Sequence, residues 1–199
     1  MAGIARLRDF IRGMTALADA GAAEARWLGE GAELLRALIA IDDWLPEAFA
    51  VPGPSYRQYL LHCDPLERFS VVSFVWGPGQ RTPVHNHTVW GLVGMLRGEE
   101  ISTEMVPGGP DAPMRPGRVD RLRPGEVVAV SPNLYDIHCV ENAWADGTSI
   151  SIHVYGGNIG AIARSVFDPA TGRAKRFISG YTAAVVPNLW DRSAELAVA

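Results

Sequence analysis

Along the first forty residues the apolar positions recur at spacings of three and four. Ile4, Leu7, Ile11, Met14 and Leu17 form one stripe, the pattern of a helix with a single buried face. Gly21 predicts its end, and a second helix begins near residue 23, carrying Leu34, Leu35, Leu38 and Ile39. The run DDWLPEAF predicts a short third helix, with Asp43 as its cap and Pro46 in its first turn.

From Val51 the pattern changes. Clusters of Pro and Gly (PGP, GPG, PGGPDAP, RPG, SPN) separate short segments rich in Val, Ile, Tyr, Phe and Trp. These segments are YRQYLLH, RFSVVSFVW, VWGLVGMLRG, EEISTEMV, RVDRLRPGEVVAV, IHCVEN, TSISIHVYGG and RAKRFI. About eight strands between turns predict a mainly β chain, closed into a barrel or jelly roll. The expected organisation is one structural domain, a helical segment over 1–50 packed on a β-barrel over 51–199.

Composition narrows the function. The chain has 199 residues, 48% hydrophobic and 20% charged, which suits one sizeable core. A net charge of −4 argues against a nucleic-acid partner, which needs a basic face. No apolar run approaches the roughly 20 residues that cross a bilayer, so no membrane partner is expected. The N-terminal MAGIARLRDFIRGMTALADAG carries Arg and Asp among its apolar positions and reads as an amphipathic helix rather than an export signal. A cytoplasmic location follows as the expectation, with Cys63 and Cys139 as free thiols that pack as small core residues. Trp76 and Trp90 are expected in the core or a pocket wall, His62 on the surface, and RGEEISTE in a solvated hairpin. Oligomeric state stays open.

The candidate chemistry lies in the histidines. His85 and His87, one residue apart after Pro83, face the same way on extended chain, so both imidazoles can reach one metal ion. His138 is a candidate third ligand, and SISIHVY aligns Ser151, His153 and Tyr155 on one face at period two.

The spacing Gly79, His85, His87, Gly91, Gly98 resembles the first motif of the cupin superfamily, with Gly91 where that motif has a Glu. Pro132, His138 and Asn142 match the second motif more loosely, with one extra residue before the histidine. With three neutral histidines and no carboxylate, a bound divalent ion would stay dicationic and accept an anionic ligand. Over roughly residues 50 to 182 the chain resembles the thiol dioxygenases, the cysteine dioxygenase type of cupin. The resemblance implies a cupin jelly-roll β-barrel, with iron(II), Fe(2+), held by His85, His87 and His138. It also implies a Ser151–His153–Tyr155 relay whose tyrosine hydroxyl points at the iron site, and conversion of a small thiol and O2 to a sulfinic acid. The FDPATG and FISGY stretches also look like those of bacterial members.

Three departures refine that expectation. Gln58 stands where the cysteine enzymes carry an arginine, no cysteine lies near Gly91 to form a Cys–Tyr thioether, and Gly156-Gly157 follows Tyr155 in place of Ser-Pro. Together they resemble the bacterial Gln-type enzymes, which implies 3-mercaptopropionate as preferred substrate and Arg164 as the group that holds its carboxylate. Cysteine, cysteamine and mercaptosuccinate remain open as substrates. The alternative classes are a different metal-dependent cupin enzyme and a non-catalytic cupin that binds a small ligand.

Overall fold

The structure, a computed structural model, describes residues 3–109 and 111–191. The outer ends of the expected segments, 1–2 and 192–199, and Pro110 of the PGGPDAP turn lie outside the described residues. The chain begins with α1 (Ala5–Asp19), α2 (Glu24–Arg26), a π-helical segment (Trp27–Gly31) and α3 (Ala32–Ile39). The strands are β1 (Arg57–Cys63), β2 (Ser70–Trp76), β3 (Val84–His85), β4 (Gly91–Arg97), β5 (Glu100–Val106) and β6 (Arg115–Leu122). They continue with β7 (Val127–Val130), β8 (His138–Asn142), β9 (Ser149–Tyr155), β10 (Arg164–Phe167) and β11 (Ala174–Phe177). Two sheets result, ordered β1-β2-β9-β4-β7 and β11-β10-β3-β8-β5-β6. This is the mainly β, jelly-roll architecture with an N-terminal helical layer that the sequence predicts.

Strands β2 and β9 are buried at every position, because the five-stranded sheet is covered on both faces. Ile150, Ile152 and Val154 of β9 pack with Leu7, Met14 and Leu35 of the helices. Alternation sends Ser151, His153 and Tyr155 to the opposite face. There Tyr155 packs with Val72, Phe74 and Trp76 of β2. Close approach of α3 to the sheet falls at Gly94, where a Cβ would stand 2.9 Å from Leu35 Cγ. The helical layer thus backs the sheet that carries Ser151, His153 and Tyr155.

Several local expectations fail for tertiary reasons. DDWLPEAF yields only one 3-10 turn, Glu47–Phe49, and Asp43 caps nothing. The segment instead buries Trp44, Leu45 and Phe49, and the Trp44 indole N–H donates to the Leu38 carbonyl at the end of α3 (3.0 Å). RVDRLRPGEVVAV breaks into β6 and β7 at its RPG turn, while β3 and β10 are short strands with little period-two pattern of their own. His62 is half-buried against Phe69, its pKa lowered by burial. Cys63 and Cys139 are free thiols, but half-buried rather than core. Trp76 is fully buried, whereas Trp90 is half-buried and stacks on Trp27 (centroids 4.8 Å apart). Among the described residues no helix is long and apolar enough to cross a membrane.

Candidate metal centre and ligand cavity

The two sheets contribute different halves of the site. From the six-stranded sheet come His85 on β3 and His138 on β8, which are register partners, and His87 just beyond β3. One ligand atom from each of the three lies within 4.8 Å of the others, and all three side chains are buried. Their ring centroids are 4.9–5.0 Å apart. The strand itself stops at His85, so alternation alone does not orient His87. Asp136 does so: its carboxylate accepts the backbone N–H groups of His87 (2.8 Å) and Thr88 (3.0 Å), holding Thr88 at φ 62°.

Each imidazole is also held from behind. His85 Nδ1 faces the Pro83 carbonyl (3.0 Å), His87 Nδ1 the Asp136 carboxylate (2.9 Å) and His138 Nδ1 the Ser102 hydroxyl (2.8 Å). With every Nδ1 engaged, the Nε2 atoms are left as the donors, and such outer partners fix both tautomer and ring orientation. Burial pushes the His85 pKa down to about 3 and holds that of His138 well below its ordinary value, so both are neutral at pH 7. Neutral, buried, preoriented imidazoles are the state in which histidine binds a metal. Burial works to raise the Asp136 pKa, but hydrogen bonds from His87 and Thr88 outweigh it and keep the carboxyl below its ordinary range.

The cupin-type Glu has no room here. A Cβ on Gly91 would stand 2.9 Å from Val130 Cγ2 and 3.0 Å from Tyr155 Cδ1, so the tyrosine ring takes the space of a side chain at that position. Tyr155 stacks on His87 with centroids 5.4 Å apart. Behind it, the Tyr155 hydroxyl lies 2.8 Å from His153 Nδ1, and His153 Nε2 lies 2.8 Å from Ser151 Oγ. Phe74 stacks on the His153 ring at 4.1 Å and fixes its plane. Burial raises the Tyr155 pKa and lowers that of His153, which keeps both neutral.

Between the two halves lies a cavity of about 170 Å³, lined by the three histidines, His153, Tyr155, Gln58 and Arg164. That volume lies below the roughly 300–1,000 Å³ of pockets for drug-sized molecules, so it suits a small ligand. Arg164 on β10 is buried, although its sequence context alone suits a surface position equally well. One Nη donates to Ser179 Oγ (2.8 Å), the guanidinium lies 4.7 Å from the centroid of Phe177, and Nε has no partner. Among the described residues no carboxylate forms an ion pair with Arg164, and burial lowers its pKa. The cavity lining contains no Asp or Glu.

The structure therefore brings together His85, His87, His138, Ser151, His153, Tyr155, Gln58 and Arg164. Asp136, Ser102, Phe177 and Ser179 also belong to the site and were not singled out in the sequence. Of these only Asp136 carries a local signal, an acid two residues before His138, a candidate ligand. Glu100 departs most from expectation: RGEEISTE is not simply a solvated hairpin, because Glu100 is 1% exposed inside the barrel.

No protein-family model matches the chain. Solved structures resemble it at low identity. One is an uncharacterized conserved protein with a double-stranded β-helix domain from Klebsiella pneumoniae, 16% identical over 67% of this chain and 92% of that one, TM-score 0.43. Another is a cupin superfamily protein from Desulfitobacterium hafniense, 15% identical over 59% of this chain and 94% of that one, TM-score 0.44. A third is the DMSP lyase DddQ from Ruegeria pomeroyi, 18% identical over 63% and 60%, TM-score 0.43. The chemistry of the site rests on this chain's own geometry.

Proposed function

We propose that the chain is an iron(II)-dependent thiol dioxygenase, acting on a small mercapto-carboxylate with 3-mercaptopropionate preferred. The reaction is RSH + O2 → RSO2H, which places both oxygen atoms on sulfur and stops at the sulfinic acid. The observation that carries this reading is one small cavity with a three-histidine cluster, a buried arginine lacking an acid partner, and no acidic side chain in its lining. The donor set fits the metal, since three neutral imidazoles leave its charge uncompensated and open to a thiolate. Iron(II) held by His85, His87 and His138 would lower the thiol pKa and bring thiolate and dioxygen onto one centre.

The chain's own groups supply the rest. Arg164 offers a planar fork to the substrate carboxylate, and that pairing gives its buried charge a partner. Ser179 and Phe177 hold the guanidinium in place. Gln58 adds a neutral amide to the same wall. The α-ammonium of cysteine would find no carboxylate there and would remain desolvated without compensation, which disfavours it. Tyr155 directs its hydroxyl at the reacting end, while His153 and Ser151 fix its orientation.

The test is oxygen uptake by the iron-loaded protein across 3-mercaptopropionate, L-cysteine, cysteamine and mercaptosuccinate. The expected result is the highest kcat/KM for 3-mercaptopropionate. A higher kcat/KM for L-cysteine at neutral pH overturns the substrate assignment, and absence of thiol-dependent uptake overturns the activity.

A further inference from the structure

Beyond Ser151 lies a further buried acid, Glu100. It stands at the start of β5, and its Oε1 has no hydrogen-bond partner. Its carboxyl lies beside the Ser151 hydroxyl and the Trp76 indole N–H, both of which lower its pKa, and that indole N–H donates to Ser151 Oγ (3.3 Å). Its register partner on β8 is Asn142, four residues from His138. We propose that Glu100 is the inner terminus of a hydrogen-bonded chain, Glu100–Ser151–His153–Tyr155, and that its protonation state sets the direction in which the whole chain donates.

Two complete arrangements exist, and counting donors and acceptors shows that they run in opposite senses. With Glu100 protonated, its O–H donates to Ser151 Oγ, which also accepts from Trp76. Ser151 then donates to His153 Nε2, His153 Nδ1–H donates to Tyr155, and the Tyr155 O–H is free to donate into the cavity. With Glu100 ionised, Ser151 donates to the carboxylate and accepts from His153 Nε2–H. Tyr155 must then donate back to His153 Nδ1, leaving only lone pairs facing the ligand. One buried proton thus decides whether Tyr155 is a donor or an acceptor at the reacting centre.

Burial raises the Glu100 pKa to about 8, with the Ser151 and Trp76 contacts offsetting part of the effect. The titratable groups facing it are Asp120 of β6, His138 of β8 and Tyr135, which share a small cavity with it, then His153 and Tyr155 along the chain. No lysine or arginine lines that cavity, so no cation there favours the ionised form.

The experiment follows the His153 ring in long-range proton–nitrogen NMR spectra of the full chain, loaded with diamagnetic zinc(II), from about pH 6 to about pH 10. His153 is expected as the Nδ1–H tautomer at low pH, converting to Nε2–H at the midpoint where the Glu100 carboxyl carbon itself titrates. In Glu100→Gln the amide N–H replaces the acid proton, and the Nδ1–H tautomer should persist throughout. Ser151→Ala should abolish the conversion while the Glu100 carbon still titrates. A single tautomer across the range in the unmodified chain overturns the proposal, as does conversion that persists in Glu100→Gln. The catalytic consequence rests on the function proposed above: kcat should fall about tenfold per pH unit above that midpoint, and Glu100→Gln should lack this limb. Tautomer conversion without thiol oxidation would sink the activity and leave the relay standing.

Discussion

Asp136→Asn is the most informative single substitution behind the histidine cluster. The Asp136 carboxylate uses Oδ1 for the His87 backbone N–H (2.8 Å) and ring Nδ1 (2.9 Å), and Oδ2 for the Thr88 N–H (3.0 Å). An asparagine can keep its oxygen on His87, but its amide N–H2 then faces the Thr88 N–H, donor against donor. Turning it over moves the conflict to His87. Leaving one such donor unsatisfied costs about 1–3 kcal/mol. Thr88, at φ 62°, also loses the contact that holds it in the left-handed region. Loss of an outer partner of a ligating histidine lowers metal affinity by about 10- to 100-fold, or about 1.4–2.7 kcal/mol. We expect Asp136→Asn to fold, as seen by circular dichroism, and to bind anaerobic iron(II) and zinc(II) within that range of weakening in competition with a chromophoric chelator. Affinity within twofold of the unmodified chain would refute the argument that Asp136 orients His87.

Other outcomes follow from particular contacts. Gly91→Ala should lose about 1–3 kcal/mol in denaturant unfolding, because its Cβ meets Val130 and the Tyr155 ring at 2.9–3.0 Å; unchanged stability would mean that the ring gives way freely. Arg164→Lys should raise KM for 3-mercaptopropionate about 10- to 100-fold, the loss of a charge-assisted fork, while leaving cysteamine oxidation nearly unchanged; equal losses for both would assign Arg164 to the fold. Tyr155→Phe should lower kcat rather than raise KM, and the reverse split would move Tyr155 from the chemistry to binding. On pH, hydrogen bonding to Arg68 holds the buried Asp64 at about 2. A depressed carboxylate contributes stability above its unfolded value of about 3.9 that is lost as pH falls through the folded value. Asp64→Asn should therefore be less stable at pH 7, with the gap closing toward pH 2, and a gap independent of pH would contradict this.

What could be read from the sequence was whatever local periodicity encodes. Ser151, His153 and Tyr155 share a face because β9 is extended throughout, and the apolar stripe of α1 predicts its buried side. His85 and His87 meet at the site for a reason that alternation only half supplies, since the strand ends between them and Asp136, 49 residues on in the chain, completes the geometry. Ser102, Phe177 and Ser179 reach the site only through sheet pairing and turns that no local pattern announces. Glu100 shows the limit most clearly. RGEEISTE reads as polar, yet alternation turns one of its acids inward, and which one depends on the β5–β8 register. Arg164 is similar: a lone arginine before SVF gives no sign of burial until β10 pairs with β3.

The central claim is that the three-histidine cavity adds dioxygen to a thiol sulfur. Its most direct test is turnover of 3-mercaptopropionate by the iron-loaded chain under 18O2, with the product analysed by mass spectrometry. The account predicts one sulfinate per O2 consumed, carrying both labelled oxygen atoms, and no product when His138 is replaced by Ala. A disulfide as the main product, or a sulfinate with oxygen drawn from water, would contradict it.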